Sequence, residues 1–210
     1  MSKYKLIILL FFLFFSIKAV ASEGEYDNEI INRHLPDALL RIDSFPKKFD
    51  FGTIASYGEK AVISLSSQEN NYYVKISNLK KENTGYQLTV QAKPLTASDG
   101  SRLGGSNIEL TRGISVLVND QANESSPPKI ESTIIADISD ESNQTVPSLV
   151  AFAEAGTNQG LGTWSIVWSG REILLKTNAN ETEAKKYQTI LIWTLSDVPQ
   201  KTDMSFSGGL

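Results

Sequence analysis

Between Gly85 and Ala92 the sequence reads "GYQLTVQA", so that Tyr86, Leu88, Val90 and Ala92 alternate with Gln87, Thr89 and Gln91. A period of two lets a strand bury one face and wet the other, and no helix gathers that apolar set on a single side. The same alternation runs through "YYVKIS", where Tyr72, Val74 and Ile76 oppose Tyr73, Lys75 and Ser77. Shorter candidate strands lie at Ala61 to Leu65, Ile108 to Leu110, Ile114 to Val118, Ile130 to Ile135, Leu149 to Ala153, Trp164 to Trp168, Glu172 to Lys176 and Tyr187 to Leu195. Turn-rich stretches such as "SDGSRLGGSN", "NDQANESSPPK" and "GTNQGLGTW" separate them. Many short strands punctuated by Gly, Asn and Pro predict an all-β chain, a sandwich or barrel, and the fold class expected is a β-sandwich, immunoglobulin-like or related. There is no cysteine, so no disulfide framework supports the fold and the hydrophobic core must do so alone.

The first residues set the compartment. "MSKYKLIILLFFLFFSIKAVAS" opens with Lys3 and Lys5, continues through an apolar run from Leu6 to Phe15, and closes on Ala19-Val20-Ala21, a small-x-small cleavage site. This is the pattern of a secretory signal over residues 1–21. The apolar run is shorter than the roughly 20 residues a membrane span needs, so no stable span is expected after cleavage. Residues 22–38, interrupted at Pro36, read as a loose leader; residues 39–200 read as one β domain; the polar residues 201–210 are expected to fray and do not resemble a signal for covalent wall attachment. Loss of the signal removes Lys3, Lys5 and Lys18 and no acid, which takes the net charge from −4 to −7. An acidic surface with only isolated lysine pairs argues against nucleic acid and against attraction to anionic polymers through bulk charge.

Reactive side chains are sparse. The single histidine, His34, falls in the leader, and with no cysteine the chain lacks the ligands and nucleophiles of zinc and thiol chemistry, so no metal or cofactor is expected. Ser-x-x-Lys occurs at Ser44, Ser77 and Ser126 without the companion elements that give it meaning, and these are read as chance. Acidic residues are spread through loops and do not single out a glycosidase-like pair. No catalytic residue is assigned, and the protein is read as a non-enzyme.

The aromatic residues carry more. In "TWSIVWSG" Trp164, Ile166 and Trp168 share one strand face, and in "YQTILIWTLSDVPQ" so do Leu191, Trp193 and Leu195. Because Ile190 and Ile192 make the opposite face apolar too, this last strand is expected in the middle of a sheet, with Trp193 and Leu195 in the core.

The same stretch resembles the C-terminal motif of the WxL domain, a cell-surface module of low-GC Gram-positive bacteria in which a Trp-x-Leu strand is followed closely by proline. Trp193-Thr194-Leu195 with Pro199 match it. "SFPKKFDFGTI", with Asp50-Phe51-Gly52, resembles the opening segment, and "NTGYQLTVQAKPL" stands where that family has its proximal Trp-x-Leu strand, with Tyr86 in the place of tryptophan. "GSRLGGSNIELTRG" and "GTNQGLGTWSIVW" follow in order. The resemblance implies a secreted protein held noncovalently at the cell surface, binding peptidoglycan or another wall component without catalysis. It ties Trp193, Leu195, Tyr86 and Leu88 to that binding, beside the core role their period gives them. It leaves a second reading open, an interaction subunit that binds another surface protein within a multi-protein assembly.

Overall fold

The computed structural model describes residues 17–20, 39–54, 61–103, 105–118, 125–131, 133–137, 147–177 and 185–197. Sixteen strands lie within them: β1 (Ile17–Val20), β2 (Leu40–Ser44), β3 (Asp50–Ile54), β4 (Ala61–Ser64), β5 (Asn71–Asn78), β6 (Tyr86–Ala92), β7 (Thr96–Ala97), β8 (Asn107–Thr111), β9 (Ile114–Leu117), β10 (Lys129–Ile130), β11 (Thr133–Asp137), β12 (Ser148–Ala153), β13 (Gly162–Ser169), β14 (Ile173–Thr177), β15 (Lys186–Gln188) and β16 (Leu191–Asp197). They form four four-stranded sheets, ordered β2-β5-β13-β9, β10-β12-β6-β16, β11-β8-β14-β4 and β3-β1-β15-β7. The result is the all-β, sandwich-like architecture that the alternation predicts. The leader, His34 and the C-terminal tail lie outside the described residues.

One continuous core joins the sheets, and the alternating strands supply it. Tyr86, Leu88, Val90 and Ala92 of β6 are all at most 1% exposed, and Trp164, Ile166 and Trp168 of β13 are buried on one face. β5 pairs with β13 over eight residues, from Asn78 opposite Gly162 to Asn71 opposite Ser169, which brings Val74 and Ile76 into the same interior. Ser77 sits on the outward half of β5 yet is buried, because its hydroxyl lies 2.5 Å from Asp43 Oδ2 and 3.0 Å from Thr163 Oγ1. A polar residue is tolerated there because both contacts satisfy it.

Four sequence expectations change. The candidate strand from Ile130 to Ile135 is two strands in two sheets: β10 pairs with β12, and β11 with β8. The strand expected from Glu172 begins one residue later, because Gly170–Glu172 form a 3-10 turn in which the Glu172 carboxylate accepts the Ser169 N–H at 3.0 Å. The run from Tyr187 to Leu195 breaks at Thr189 and Ile190, leaving β15 in one sheet and β16 in another. Both residues of the break are fastened to Lys93: the Thr189 hydroxyl donates to its carbonyl, and its N–H donates to the carbonyl of Ile190 at 3.0 Å. Among the described residues β16 is also an edge strand, not a central one, and Ile190 and Ile192 are 41% and 40% exposed. Two-sided hydrophobicity misleads here because one of the two apolar faces is left on the surface.

Candidate functional site

β6 and β16, far apart in sequence, are neighbours in space. They pair antiparallel over seven residues, with Trp193 opposite Val90, Thr194 opposite Thr89, Leu195 opposite Leu88 and Asp197 opposite Tyr86. The four sequence-predicted residues are therefore brought together on one patch of one sheet. All point into the fold: Tyr86 and Leu88 are fully buried, Trp193 is 7% exposed, and Leu195 is partly buried against the core. The ring of Trp193 lies 6.3 Å from that of Trp168 on β13, with 37° between the planes, so the two indoles join two different sheets. The far end of β16 is tied down where the Asp197 carboxylate accepts from Lys80 Nζ and, at 3.0 Å, from the Thr84 hydroxyl.

Tyr86 is the least comfortable member. Its hydroxyl is buried with no hydrogen-bond partner among the described residues, and burial pushes the phenol far above its ordinary range. The tip of the ring rests against Gly160, where an added Cβ would stand 2.8 Å from Tyr86 Oη. A tyrosine in this position fills the interior but strands its polar atom, a state that costs about 1–3 kcal/mol.

Three residues earlier, a buried polar group is treated in the opposite way. The side-chain nitrogen of Asn83 lies 3.0, 3.0 and 2.7 Å from the carbonyls of Glu154, Thr157 and Gln159, and its side-chain oxygen accepts the Gly85 N–H at 3.0 Å. Gln159 adds its own bonds, accepting the Glu154 N–H at 2.9 Å and donating to the Pro127 carbonyl at 3.0 Å. Gly85 has φ +73° and packs so closely that a Cβ would stand 2.8 Å from Ala155 N, so the turn into β6 needs glycine on both counts. This network clamps the start of the proximal motif strand to the connection between β12 and β13. Asn83 carries no distinctive sequence signal beyond standing two residues before a glycine ahead of a strand.

The outward face of the same sheet presents a different chemistry. The pairing of β12, β6 and β16 puts Phe152, Gln87 and Ser196 in one row and Leu149, Thr89 and Thr194 in the next. Gln87 and Thr194 are exposed, Thr89, Phe152 and Ser196 half-buried. Lys129 Nζ sits 5.4 Å above the Phe152 ring while pairing with Glu154 at 2.5 Å. Among the described residues the centre of the face holds amides, hydroxyls and apolar groups and no carboxylate. Sequence reasoning passed over these residues because they are the polar half of the alternation, which any solvated strand face shows.

Reactive constellations are thin among the described residues. The Ser77 hydroxyl is bonded to Asp43 and Lys80 is committed to Asp197. The buried Glu109 is paired with Lys176 at 2.7 Å, and no group of three potential metal-binding side chains occurs among the described residues. No described helix is long and apolar enough to cross a membrane.

A family model described as WxL domain, surface cell wall-binding, matches residues 25–199. No curated protein and no solved structure matches the chain.

Proposed function

The chain belongs to the WxL family of surface cell wall-binding domains, and from that premise we propose that it is a secreted protein held noncovalently on the wall by direct, non-catalytic contact with peptidoglycan. The contact is carried by the outward face of the sheet that holds the two motif strands, with Gln87, Thr89 and Thr194 as hydrogen-bonding groups and Phe152 and Ile192 as apolar ones. The pairing of β6 with β16 is the observation that supports this reading. It turns Tyr86, Leu88, Trp193 and Leu195 inward, where they set the shape of the sheet, and turns neutral polar residues outward at the intervening positions along the chain. Amides and hydroxyls beside an apolar patch suit a sugar, which offers hydroxyl groups and apolar ring faces. A face without carboxylates at its centre also spares an acidic protein repulsion from an anionic wall.

The test is co-sedimentation of the folded protein with sacculi stripped of teichoic polymers and proteins, at physiological salt. Saturable pelleting that persists as salt is raised is expected, since uncharged contacts are little screened. A demonstrably folded sample that stays in the supernatant would sink direct peptidoglycan attachment and leave the partner-protein role. Release of soluble wall fragments would sink the non-catalytic reading.

A further inference from the structure

β16 (Leu191–Asp197) is the longest edge strand among the described residues, and its free side is unguarded. The Lys93 N–H donates to the Ile190 carbonyl at 3.0 Å, and Ile192 and Thr194 continue that register opposite Gln91 and Thr89. Antiparallel residues alternate in the side to which they turn their backbone groups, so Leu191, Trp193 and Leu195 turn theirs away from β6. Among the described residues no backbone bond meets them there. Open edges are usually blunted by lysine, proline, a bulge or a covering loop. From Leu191 to Ser196 there is no charge and no proline, and the pairing with β6 runs without a register shift. Asp197, the one charge of the strand, is committed to Lys80. Leu191 and Leu195, which flank the buried Trp193, stay only partly buried because no described strand lies beyond them.

The sequence of the strand selects its occupant. Two copies of one strand that pair antiparallel about a two-fold axis set the sequence against its own reverse, so the fit is best where it reads alike in both directions. Leu191-Ile192-Trp193-Thr194-Leu195 does so: it is Leu-x-Trp-x-Leu from either end, with a β-branched residue at each x. An unrelated polypeptide gains nothing from that symmetry. The chain's own remaining residues fit less well. Within residues 22–210, no segment outside the described ones holds three large apolar side chains at alternating positions; the tail, "KTDMSFSGGL", comes nearest with Met204 and Phe206, and its lysine, aspartate and paired glycines are poor strand formers.

We propose that two copies of the protein pair through β16 about a two-fold axis at Trp193, joining their sheets into one. Trp193 then exchanges backbone bonds with its counterpart, and Leu191 does so with Leu195 of the other copy. Leu191 and Leu195 cover one another on the inner side, Ile192 stands opposite Thr194 on the outer side, and no like charges meet. Five residues a side fall short of the roughly 1,600 Å² of a standard interface, so the dimer belongs to the weak class and forms where the protein is concentrated. The proposal rests on neither the secretion reading nor the wall ligand, and it sets the outward faces of two copies side by side.

The experiment follows the folded protein, free of wall material, by analytical ultracentrifugation and amide hydrogen exchange from micromolar to millimolar concentration. A dimer is expected at the upper end, with exchange slowing at Leu191, Trp193 and Leu195 as it forms. Ile192 and Thr194 are exposed, so charging them leaves the core intact. Ile192→Lys with Thr194→Lys, and separately Ile192→Glu with Thr194→Glu, put like charges opposite one another and are each expected to weaken the dimer about fivefold or more; an equal mixture of the two is expected to restore it as a heterodimer. The register is read independently in this cysteine-free chain: Ile192→Cys mixed with Thr194→Cys should form a disulfide dimer on oxidation, and neither variant alone should do so. A protein monomeric throughout, a dimer indifferent to both charged pairs, or absence of the mixed disulfide would overturn the proposal. So would exchange at Leu191, Trp193 and Leu195 that is already slow in the monomer and quickens when residues 201–210 are deleted, the mark of an edge covered by the chain's own tail.

Discussion

The two faces of the β10-β12-β6-β16 sheet share a backbone and little else. Inward stand Tyr86, Leu88, Trp193 and Leu195, the residues by which the family resemblance is read, buried or partly buried among the core. Outward, one position along, stand Gln87, Thr89 and Thr194, which no motif singles out. The difference teaches that the residues by which a family is read can lie in the packed interior while the residues open to solvent on the same strands carry no motif. It also makes the two faces separable by experiment, since stability and wall retention should respond to different substitutions.

The harshest way to break the comparison is Trp193→Ala. Truncating a buried indole that joins two sheets is expected to cost about 3–5 kcal/mol and to abolish wall retention by unfolding the domain. Thermal or urea denaturation beside the sacculus assay checks this. If the variant folds with near-normal stability and still fails to pellet, Trp193 touches the wall and the inward face is no mere support.

Asn83→Ala comes next and asks whether a satisfied buried amide matters as much as a buried ring. Removing it strips bonds from several backbone carbonyls and from the Gly85 N–H, a loss of roughly 2–4 kcal/mol if two such groups are left unpaired. Hydrogen exchange should loosen first at the β12–β13 connection and the start of β6; a variant as stable as the parent would show that the clamp is redundant.

Tyr86→Phe sharpens the contrast in the opposite direction, because it deletes an orphaned hydroxyl and leaves the ring. A gain of about 1–3 kcal/mol is expected, with wall retention unchanged. The pH dependence follows from the same burial. The folded state holds the phenolic proton well above the value of about 10 at which the unfolded chain releases it. This tyrosine therefore contributes no pH dependence below about 10 and lowers stability as the pH rises further. The parent should lose stability more steeply than Tyr86→Phe across that alkaline range, and parallel curves would show that the hydroxyl finds a partner in solution.

The smallest effect on folding belongs to the outward face. Gln87→Ala and Thr194→Ala are each expected to change stability by no more than about 0.5 kcal/mol. Each should weaken pelleting with stripped sacculi about fivefold, one hydrogen bond's worth. Unchanged retention in the double variant would move the wall contact to another face of the molecule.

The sequence by itself determined the class of fold, and it did so through side-chain period. Strict alternation in β6 and β13 can be satisfied only by strands with one buried face, and each of those faces is buried in the structure. The family was legible too, because the Trp193-Thr194-Leu195 motif, Pro199 and the ordered upstream segments are local in sequence. What local pattern could not give was pairing. Nothing along the chain says that β6 and β16 lie side by side, that Tyr187 and Leu191 belong to different sheets, or that β16 is an edge whose apolar Ile192 stays on the surface. Those outcomes depend on which distant strands compete for each backbone edge and on which face the neighbouring sheet leaves uncovered. The same holds for β1: four residues that read as the end of a signal pair as a strand with β3 and β15, which no local pattern announces.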